Sequence, residues 1–200
     1  MFYVGVDLGQ RRDHSAIAVV EQWQNSKQRL VRSVTRVPLG TPYPDVVERV
    51  RRTVQHAELA GQCAVAVDAT GVGAPVVEMM HRAGLGCGLW AVTMTSGEQA
   101  RAAGSMGGVS RFTVPKVDLI SGVQTLLESG NLRIAPDLRE AGSLLRELRD
   151  MRMEVTGAGR MRLGADGCGE HDDLVIALAL ACWRAGRGQI GFGGARLPGC

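Results

Sequence analysis

The sequence lacks long hydrophobic runs and is poor in aromatic residues. Its longest uninterrupted apolar stretch, Leu174 to Trp183, spans ten residues, whereas a membrane-spanning helix needs about 20. The chain does not open with a basic segment and an apolar signal core, because Asp7 interrupts the first apolar run. We therefore expect no membrane partner and a cytoplasmic location. Aromatic residues make up only 4% of the chain, too few to predict a stacking platform for nucleic-acid bases.

The chain also lacks paired cysteines and has almost no lysine. Its five cysteines include no C-x-x-C pair, which argues against a zinc site or a disulfide framework. All but two of the 23 basic residues, Lys27 and Lys116, are arginine, and the net charge is +3. The arginine guanidinium suits bidentate contact with phosphate, although codon usage in a GC-rich genome produces the same bias. Composition therefore permits a nucleic-acid partner without establishing one.

What the sequence does contain is an alternation of short apolar strands with amphipathic helices. An antiparallel meander is predicted over residues 2–8, 15–20 and 30–37. Further strands are predicted at 63–67, 89–94 and 132–134. Helices are predicted after Pro44 and over four later segments, 75–82, 115–128, 138–151 and 174–183. This order predicts an α/β fold with a mixed β-sheet flanked by helices.

Three segments are predicted to lie outside that regular alternation. The glycine-rich stretch 95–113 has little periodicity and is expected to be a mobile loop. Residues 152–155 and 160–163 flank a glycine-containing turn and predict a hairpin. Residues 186–200, with several glycines, are expected to form a flexible tail. We therefore expect one domain over residues 1–185, followed by this tail.

Carboxylates stand at three places where predicted strands end or a helix begins. Asp7 ends the first strand, Asp68 ends the strand at 63–67, and Asp172 and Asp173 open the last helix. If the strands of Asp7 and Asp68 pair in parallel, their ends lie side by side. The last helix is apolar nearly all round, so we expect it to pack centrally. A charge beside an apolar core is costly unless a cation compensates it. A single such aspartate is more often a turn or cap residue, so the prediction depends on the three sites together.

The chemistry of these acids indicates a metal site. Oxygen ligands that converge from separate elements suit Mg²⁺ or Mn²⁺. Two such ions can flank a phosphoryl group, activating water and stabilising the leaving oxygen. The pattern therefore indicates a metal-dependent phosphodiesterase.

Four pieces of the sequence carry a resemblance to a known family. They are the strand-borne Asp7, the segment VDATG at 67–71, the segment VPKVDLI at 114–120 and the segment HDDLVIALA at 171–179. In this order they resemble the nuclease domain of phage terminase large subunits, part of the ribonuclease H-like group that also includes the RuvC resolvases. The likeness covers about residues 2–185. It implies an endonuclease using two metal ions that cuts concatemeric double-stranded viral DNA during genome packaging, in the cytoplasm of a bacterial host.

The resemblance implies roles for individual acids. Asp7, Asp68 and Asp173 would be the principal metal ligands and catalytic acids. Asp172 is adjacent to Asp173 and could take its role, since the sequence does not establish which side chain turns inward. Asp13, six residues after Asp7, stands where related domains often have an additional acid, so it is a candidate auxiliary ligand.

The resemblance also implies roles for other polar residues. His171 would neighbour the metals and orient water or a phosphate, although a lone histidine before a helix is more often a surface or capping residue. Contacts with the DNA backbone are expected from Lys116, Arg101 and Arg111.

The resemblance has one departure, which concerns partners. Full terminase large subunits carry an ATPase domain before the nuclease, yet this sequence has no G-x-x-x-x-G-K-[ST] phosphate loop. We expect either a separated nuclease half or a stand-alone relative. The implied partners are double-stranded DNA, a packaging ATPase domain, a small terminase subunit and a portal. Two alternatives remain open: a RuvC-like Holliday-junction resolvase, and a non-catalytic DNA-binding or assembly module on the same fold.

Overall fold

The structure is a computed structural model that describes residues 1–9, 13–24, 26–71, 73–97, 99–155, 161–164 and 172–187. Within these residues, eight strands form one mixed sheet: β1 (Phe2–Asp7), β2 (Ala16–Gln22), β3 (Arg29–Arg36), β4 (Cys63–Asp68), β5 (Gly88–Thr95), β6 (Arg101–Met106), β7 (Val109–Pro115) and β8 (Leu132–Ile134). A separate hairpin consists of β9 (Arg152–Val155) and β10 (Met161–Gly164). The helices of the described chain are α1 (Tyr43–Val54), α2 (Gly73–Arg82), α3 (Lys116–Glu128), α4 (Ala141–Asp150) and α5 (Asp173–Gly186).

The sheet combines antiparallel and parallel pairing. Its strand order is β6-β7-β5-β4-β1-β2-β3-β8. The first three strands form the predicted antiparallel meander, and β4 then pairs in parallel with β1. Parallel pairing continues from β4 to β5 and from β5 to β7, while β6 is antiparallel to β7. The ends of β1 and β4 therefore lie side by side, as the sequence predicted.

Helices cover both faces of the sheet because successive strand residues point to opposite sides. One apolar cluster joins one face of the sheet to α3, α4 and α5. The other cluster joins the opposite face to α1 and α2. These two layers confirm the predicted α/β fold with a mixed sheet flanked by helices.

Helix α5 packs directly on the centre of the sheet. Every residue from Asp173 to Cys182 is buried, as expected for a helix that is apolar nearly all round. The helix approaches β1 so closely that a Cβ atom on Gly5 would lie 1.8 Å from the carbonyl oxygen of Ala177. Glycine at position 5 therefore permits the contact that places the start of α5 over the end of β1.

The prediction of a mobile loop over residues 95–113 was wrong. Strand β6 and most of β7 lie in this segment and pair with each other as a hairpin. All six residues of β6 are exposed at the edge of the sheet, so this strand has no alternation of apolar and polar residues for a pattern search to detect. Its backbone hydrogen bonds to β7 establish the strand instead.

Two predictions fall on parts of the chain that the structure leaves out. His171 and residues 188–200, which make up most of the predicted tail, lie outside the described residues, so the tail and the domain limits stay predictions. In the described segments, no helix combines the length and apolar character that crossing a bilayer requires.

Candidate active site

The register of the sheet places Asp68 and Asp7 next to each other. Val6 lies opposite Val67 in the parallel pair of β1 and β4, and the two aspartates follow at the next position of each strand. Both side chains point to the α5 face, because Ala66 and Gly5, two residues earlier, lie on the same side. The ends of two neighbouring parallel strands thus present two carboxylates toward one helix.

Local hydrogen bonds hold the chain just beyond these two strands. The backbone N–H of Thr70 donates to Asp68 Oδ1 at 2.8 Å, and the Thr70 hydroxyl accepts from the N–H of Met94 at 2.9 Å. After Asp7, the N–H of Gly9 donates to the Ser15 hydroxyl at 3.1 Å. Each carboxylate therefore stands on a turn that is bonded to a neighbouring strand or its flank, which limits its movement.

Helix α5 contributes the other two acids. Asp172 is the residue that precedes the helix, and Asp173 is its first residue. Lys116, the first residue of α3, donates to Asp172 Oδ2. Arg36, the last residue of β3, donates from Nε to Asp173 Oδ2 at 2.7 Å. Two adjacent acids are therefore held by cations from two different elements.

All four predicted ligands line one cavity. Its volume is about 270 Å³, and Asp13 and Lys116 also lie on its wall. Backbone and apolar side chains complete the lining, which consists of Asp7, Leu8, Gly9, Asp13, Asp68, Thr70, Gly71, Met94, Lys116, Asp172, Asp173 and Ile176. The structure thus brings together Asp7, Asp68, Asp172, Asp173, Asp13 and Lys116.

Burial and mutual repulsion perturb the acids of the cavity. Burial raises the pKa of Asp7 well above its usual range, and the negative charges of Asp68, Asp172 and Asp173 raise it further. Burial also raises the pKa of Asp68, a shift that hydrogen bonds from Thr70 oppose. Carboxylates that repel one another in this way are costly while all are ionised, and a bound cation would relieve that cost.

The donor set fits a hard divalent cation. The four acids supply only carboxylate oxygens, the ligands that Mg²⁺ and Mn²⁺ favour. Among the described residues, however, no three acidic, histidine or cysteine side chains are grouped tightly enough to form a ready coordination shell. Asp172 is bonded to Lys116 and Asp173 to Arg36, so these acids line the cavity without converging on one point.

Sequence reasoning missed two residues that adjoin the acids, Arg36 and Glu147. Arg36 lies in the same row of the sheet as Asp7, because Ala16 faces both residues across β2. Its Nη2 donates to Oε1 of Glu147 in α4, and Glu147 is buried. No local pattern marks either residue, since an arginine in a strand and a glutamate in an amphipathic helix are usually solvated. A polar residue on the apolar face of α4 was the one available signal.

The three predicted DNA-binding residues do not lie together. Lys116 borders the carboxylates. Arg111 follows Val109 at the spacing that puts both on the α2 face of the sheet. Arg101 pairs with Thr113, which lies on the same face as Arg111. Both arginines therefore project from the face opposite the carboxylates, and their role in DNA binding stays a prediction.

A larger cavity lies elsewhere and has a different character. It measures about 580 Å³ between α1 and the outer part of the meander. Two of its charged side chains, Glu48 and Arg52, form an ion pair on the surface of α1. Hydrogen bonds from Arg51 and Arg52 lower the pKa of Glu48, whereas burial and neighbouring acids raise the pKa of Asp7, so size alone does not make the larger cavity the better candidate for chemistry.

Comparison with known proteins gave matches among solved structures. No protein-family model matches the chain, and no curated protein matches it. The large terminase nuclease of thermophilic phage G20c with bound magnesium is 25% identical, with a TM-score of 0.64 over 92% of this chain and 81% of that chain. The same nuclease with bound cobalt gives 25% identity and a TM-score of 0.65 over the same shares.

More distant matches share the fold. The large terminase nuclease domain of bacteriophage SPP1 with bound manganese is 13% identical, with a TM-score of 0.57 over 92% of this chain and 86% of that chain. The human cytomegalovirus terminase nuclease domain, soaked with manganese and bound to an inhibitor, is 14% identical, with a TM-score of 0.56 over 90% of this chain and 82% of that chain. These comparisons confirm the resemblance found in the sequence: over nine tenths of its length the chain has the ribonuclease H-like fold of terminase large-subunit nuclease domains.

Proposed function

We propose that the chain is a metal-dependent endonuclease that cuts double-stranded DNA with little sequence specificity during the packaging of a phage genome. The observation that carries this proposal is the set of four carboxylates, from two parallel strand ends and one helix start, around a single cavity. Its similarity to terminase nucleases with bound magnesium, cobalt or manganese supports the same reading.

The acids would hold two Mg²⁺ or Mn²⁺ ions, with Asp7, Asp68 and Asp173 as principal ligands and Asp172 beside them. When bound, such ions activate water and stabilise the leaving oxygen of a phosphodiester. Asp13 would act as an auxiliary ligand, since it lies on the same cavity wall. His171 would be a further auxiliary residue, because it directly precedes Asp172.

The substrate would be recognised through its phosphates. Lys116 lies at the carboxylates and would contact the DNA backbone near the cut, with Arg101 and Arg111 making contacts further away. Phosphate contacts carry no sequence information, and few aromatic residues are available to stack on bases. We therefore expect cleavage at many sequences.

The partners would be those of a packaging motor. Because the solved structures that the chain resembles are terminase nucleases, we expect it to work with a packaging ATPase domain, a small terminase subunit and a portal, in the cytoplasm of the bacterial host. Double-stranded DNA would be the shared substrate.

Cleavage of plasmid DNA tests the proposal. The protein is expected to nick or cut plasmid with Mg²⁺ or Mn²⁺ and not with Ca²⁺ alone. Asp7→Asn and Asp68→Asn are each expected to abolish cutting, because they remove a charged ligand while keeping its shape. Asp137→Asn, at an exposed turn away from the cavity, is the matched control and should cut normally.

Three results would count against this function. Near-normal cutting by Asp7→Asn or Asp68→Asn would show that the site is assigned wrongly. Strong preference for four-way junctions over linear duplex would favour a RuvC-like resolvase. DNA binding without cleavage under any divalent ion would favour a non-catalytic module.

A further inference from the structure

Among the described residues, helix α5 receives no capping hydrogen bond from the side chain that directly precedes it. Asp172 occupies the capping position but makes no side-chain hydrogen bond to the helix. Instead, the backbone N–H groups of Leu174 and Val175 both donate to Oε2 of Glu147, at 3.1 and 3.2 Å. The first turn of a helix leaves such N–H groups without partners inside the helix. Glu147, which belongs to α4, therefore caps α5 from another element.

The other oxygen of Glu147 leads to the candidate active site. Its Oε1 accepts from Nη2 of Arg36, and Nε of the same guanidinium donates to Asp173 Oδ2 at 2.7 Å. A continuous series of bonds thus joins the backbone of α5, Glu147, Arg36 and the carboxylate of Asp173. Since Glu147 is only 8% exposed and Asp173 only 3%, water screens these contacts weakly.

We propose that Glu147 and Arg36 are positioning residues for Asp173. Glu147 holds the backbone of the first turn of α5, and Arg36 holds the side chain that this turn carries. Because one oxygen of the Asp173 carboxylate is held by Arg36, the direction of the whole carboxylate is determined. This inference rests on the proposed function, in which Asp173 is a metal ligand, and extends it to two residues that lie outside the cavity wall.

The chemistry of glutamate matters at position 147 because both oxygens accept hydrogen bonds. A glutamine has one acceptor oxygen, and its NH₂ group can only donate. Whichever way a glutamine turned at this position, its NH₂ would face either the N–H groups of α5 or the guanidinium of Arg36. Lysine at position 36 would keep the positive charge but lose the planar fork that bonds two carboxylates at once.

The test compares Glu147→Gln and Arg36→Lys with the wild-type chain. A matched control is the exposed ion pair of Glu78 and Arg82 in α2, on the other face of the sheet, changed to Glu78→Gln and Arg82→Lys. Two quantities are measured for each protein: the Mn²⁺ concentration that gives half-maximal plasmid cleavage, and Mn²⁺ binding from the loss of the free-ion EPR signal. Thermal melting reports whether each variant is folded.

Both variants at the site are expected to raise the Mn²⁺ requirement about tenfold or more, the usual effect of removing a residue that orients a metal ligand. They should weaken Mn²⁺ binding by a similar factor while remaining folded at the assay temperature. The control pair should leave both quantities unchanged. A purely structural role for Glu147 would lower the melting temperature without changing the Mn²⁺ requirement of the folded protein.

The outcomes separate this inference from the proposed function. Wild-type Mn²⁺ dependence in folded Glu147→Gln or in folded Arg36→Lys overturns the positioning role, while the nuclease assignment stands. If Glu147→Gln does not fold, Arg36→Lys decides alone, since Arg36 makes no bond to the backbone of α5 among the described contacts. A wild-type chain that binds Mn²⁺ but does not cut DNA defeats the nuclease assignment, and Mn²⁺ binding then still tests the positioning role. A wild-type chain that neither binds nor cuts defeats both.

Discussion

Alanine at Gly5 is expected to separate the two elements that carry the acids. A Cβ atom at this position would lie 1.8 Å from the carbonyl oxygen of Ala177 and 2.7 Å from the backbone nitrogen of Ala181. These are backbone atoms of α5, so no side-chain rotation relieves the clash. To reach ordinary van der Waals contact, α5 would have to move from β1 by roughly 1.5 Å.

The cost of this movement follows from the packing of α5. Overpacking a well-packed core costs about 1–3 kcal/mol, and Gly5→Ala should reach the upper end because α5 is buried against the sheet and against α3 and α4. In a domain of this size, about 3 kcal/mol lowers the melting temperature by roughly 6–12 °C. Because Asp7 and Asp173 would shift relative to each other, DNA cleavage is expected to fall about 100-fold.

Thermal melting and metal-dependent plasmid cleavage measure the two effects. The matched control is Gly122→Ala, since Gly122 lies in the interior of α3 with no atom within 4 Å of an added Cβ. That change should raise stability by about 0.5–1 kcal/mol, because alanine favours the helix. Without a clash, Gly5→Ala would also raise stability, because alanine is more favourable than glycine in the middle of a strand. An unchanged or higher melting temperature for Gly5→Ala would therefore refute the close approach of α5 to β1.

Three further predictions concern DNA cleavage by variants of the acids, the dependence of stability on pH, and the dependence of DNA binding on salt. Asp173→Ala is expected to abolish DNA cleavage and Asp172→Ala to reduce it less, because Asp173 is buried and Asp172 half-exposed; loss of activity in Asp172→Ala alone would reverse the assignment. Burial and nearby acids raise the pKa of Asp7. Burial is also the main cause that raises the pKa of Glu147 to about 7, and the negative charge of Asp173 is the second cause. Such acids keep their protons longer in the folded than in the unfolded state, so these groups should make the metal-free protein lose stability as the pH rises from about 5 to 7.5. A melting temperature in EDTA that climbs steadily over this range would contradict that sign. The proposed DNA-contacting residues are Lys116, Arg101 and Arg111. Alanine at each of them should lower the slope of log affinity for duplex DNA against log salt by about one unit, and an unchanged slope would show that the residue makes no phosphate contact. Alanine at Arg101 or Arg111 should leave Mn²⁺ affinity unaltered.

Local patterns in the sequence were enough to predict most of the strands and helices and the positions of the acids along them. Apolar runs and helical periodicity are local properties, so they identified the meander, the buried strand β4 and the helix α5. Asp7, Asp68 and the pair at 172–173 were recognised because each directly adjoins such a run. Their meeting could be expected from one topological step, the parallel pairing of β1 and β4.

The folded structure was needed to show which side chains support the acids and which face each residue occupies. Arg36 and Glu147 are 111 residues apart, and the one local sign of either is that the polar Glu147 lies on the apolar face of α4. Strand β6 was missed because its residues are all exposed, and an exposed strand needs no apolar alternation. The requirement for glycine at position 5 depends on the distance to α5, the last helix of the described chain. Contacts of this kind arise from the packing of distant elements, and the local pattern of one segment does not identify the individual residues that it will contact.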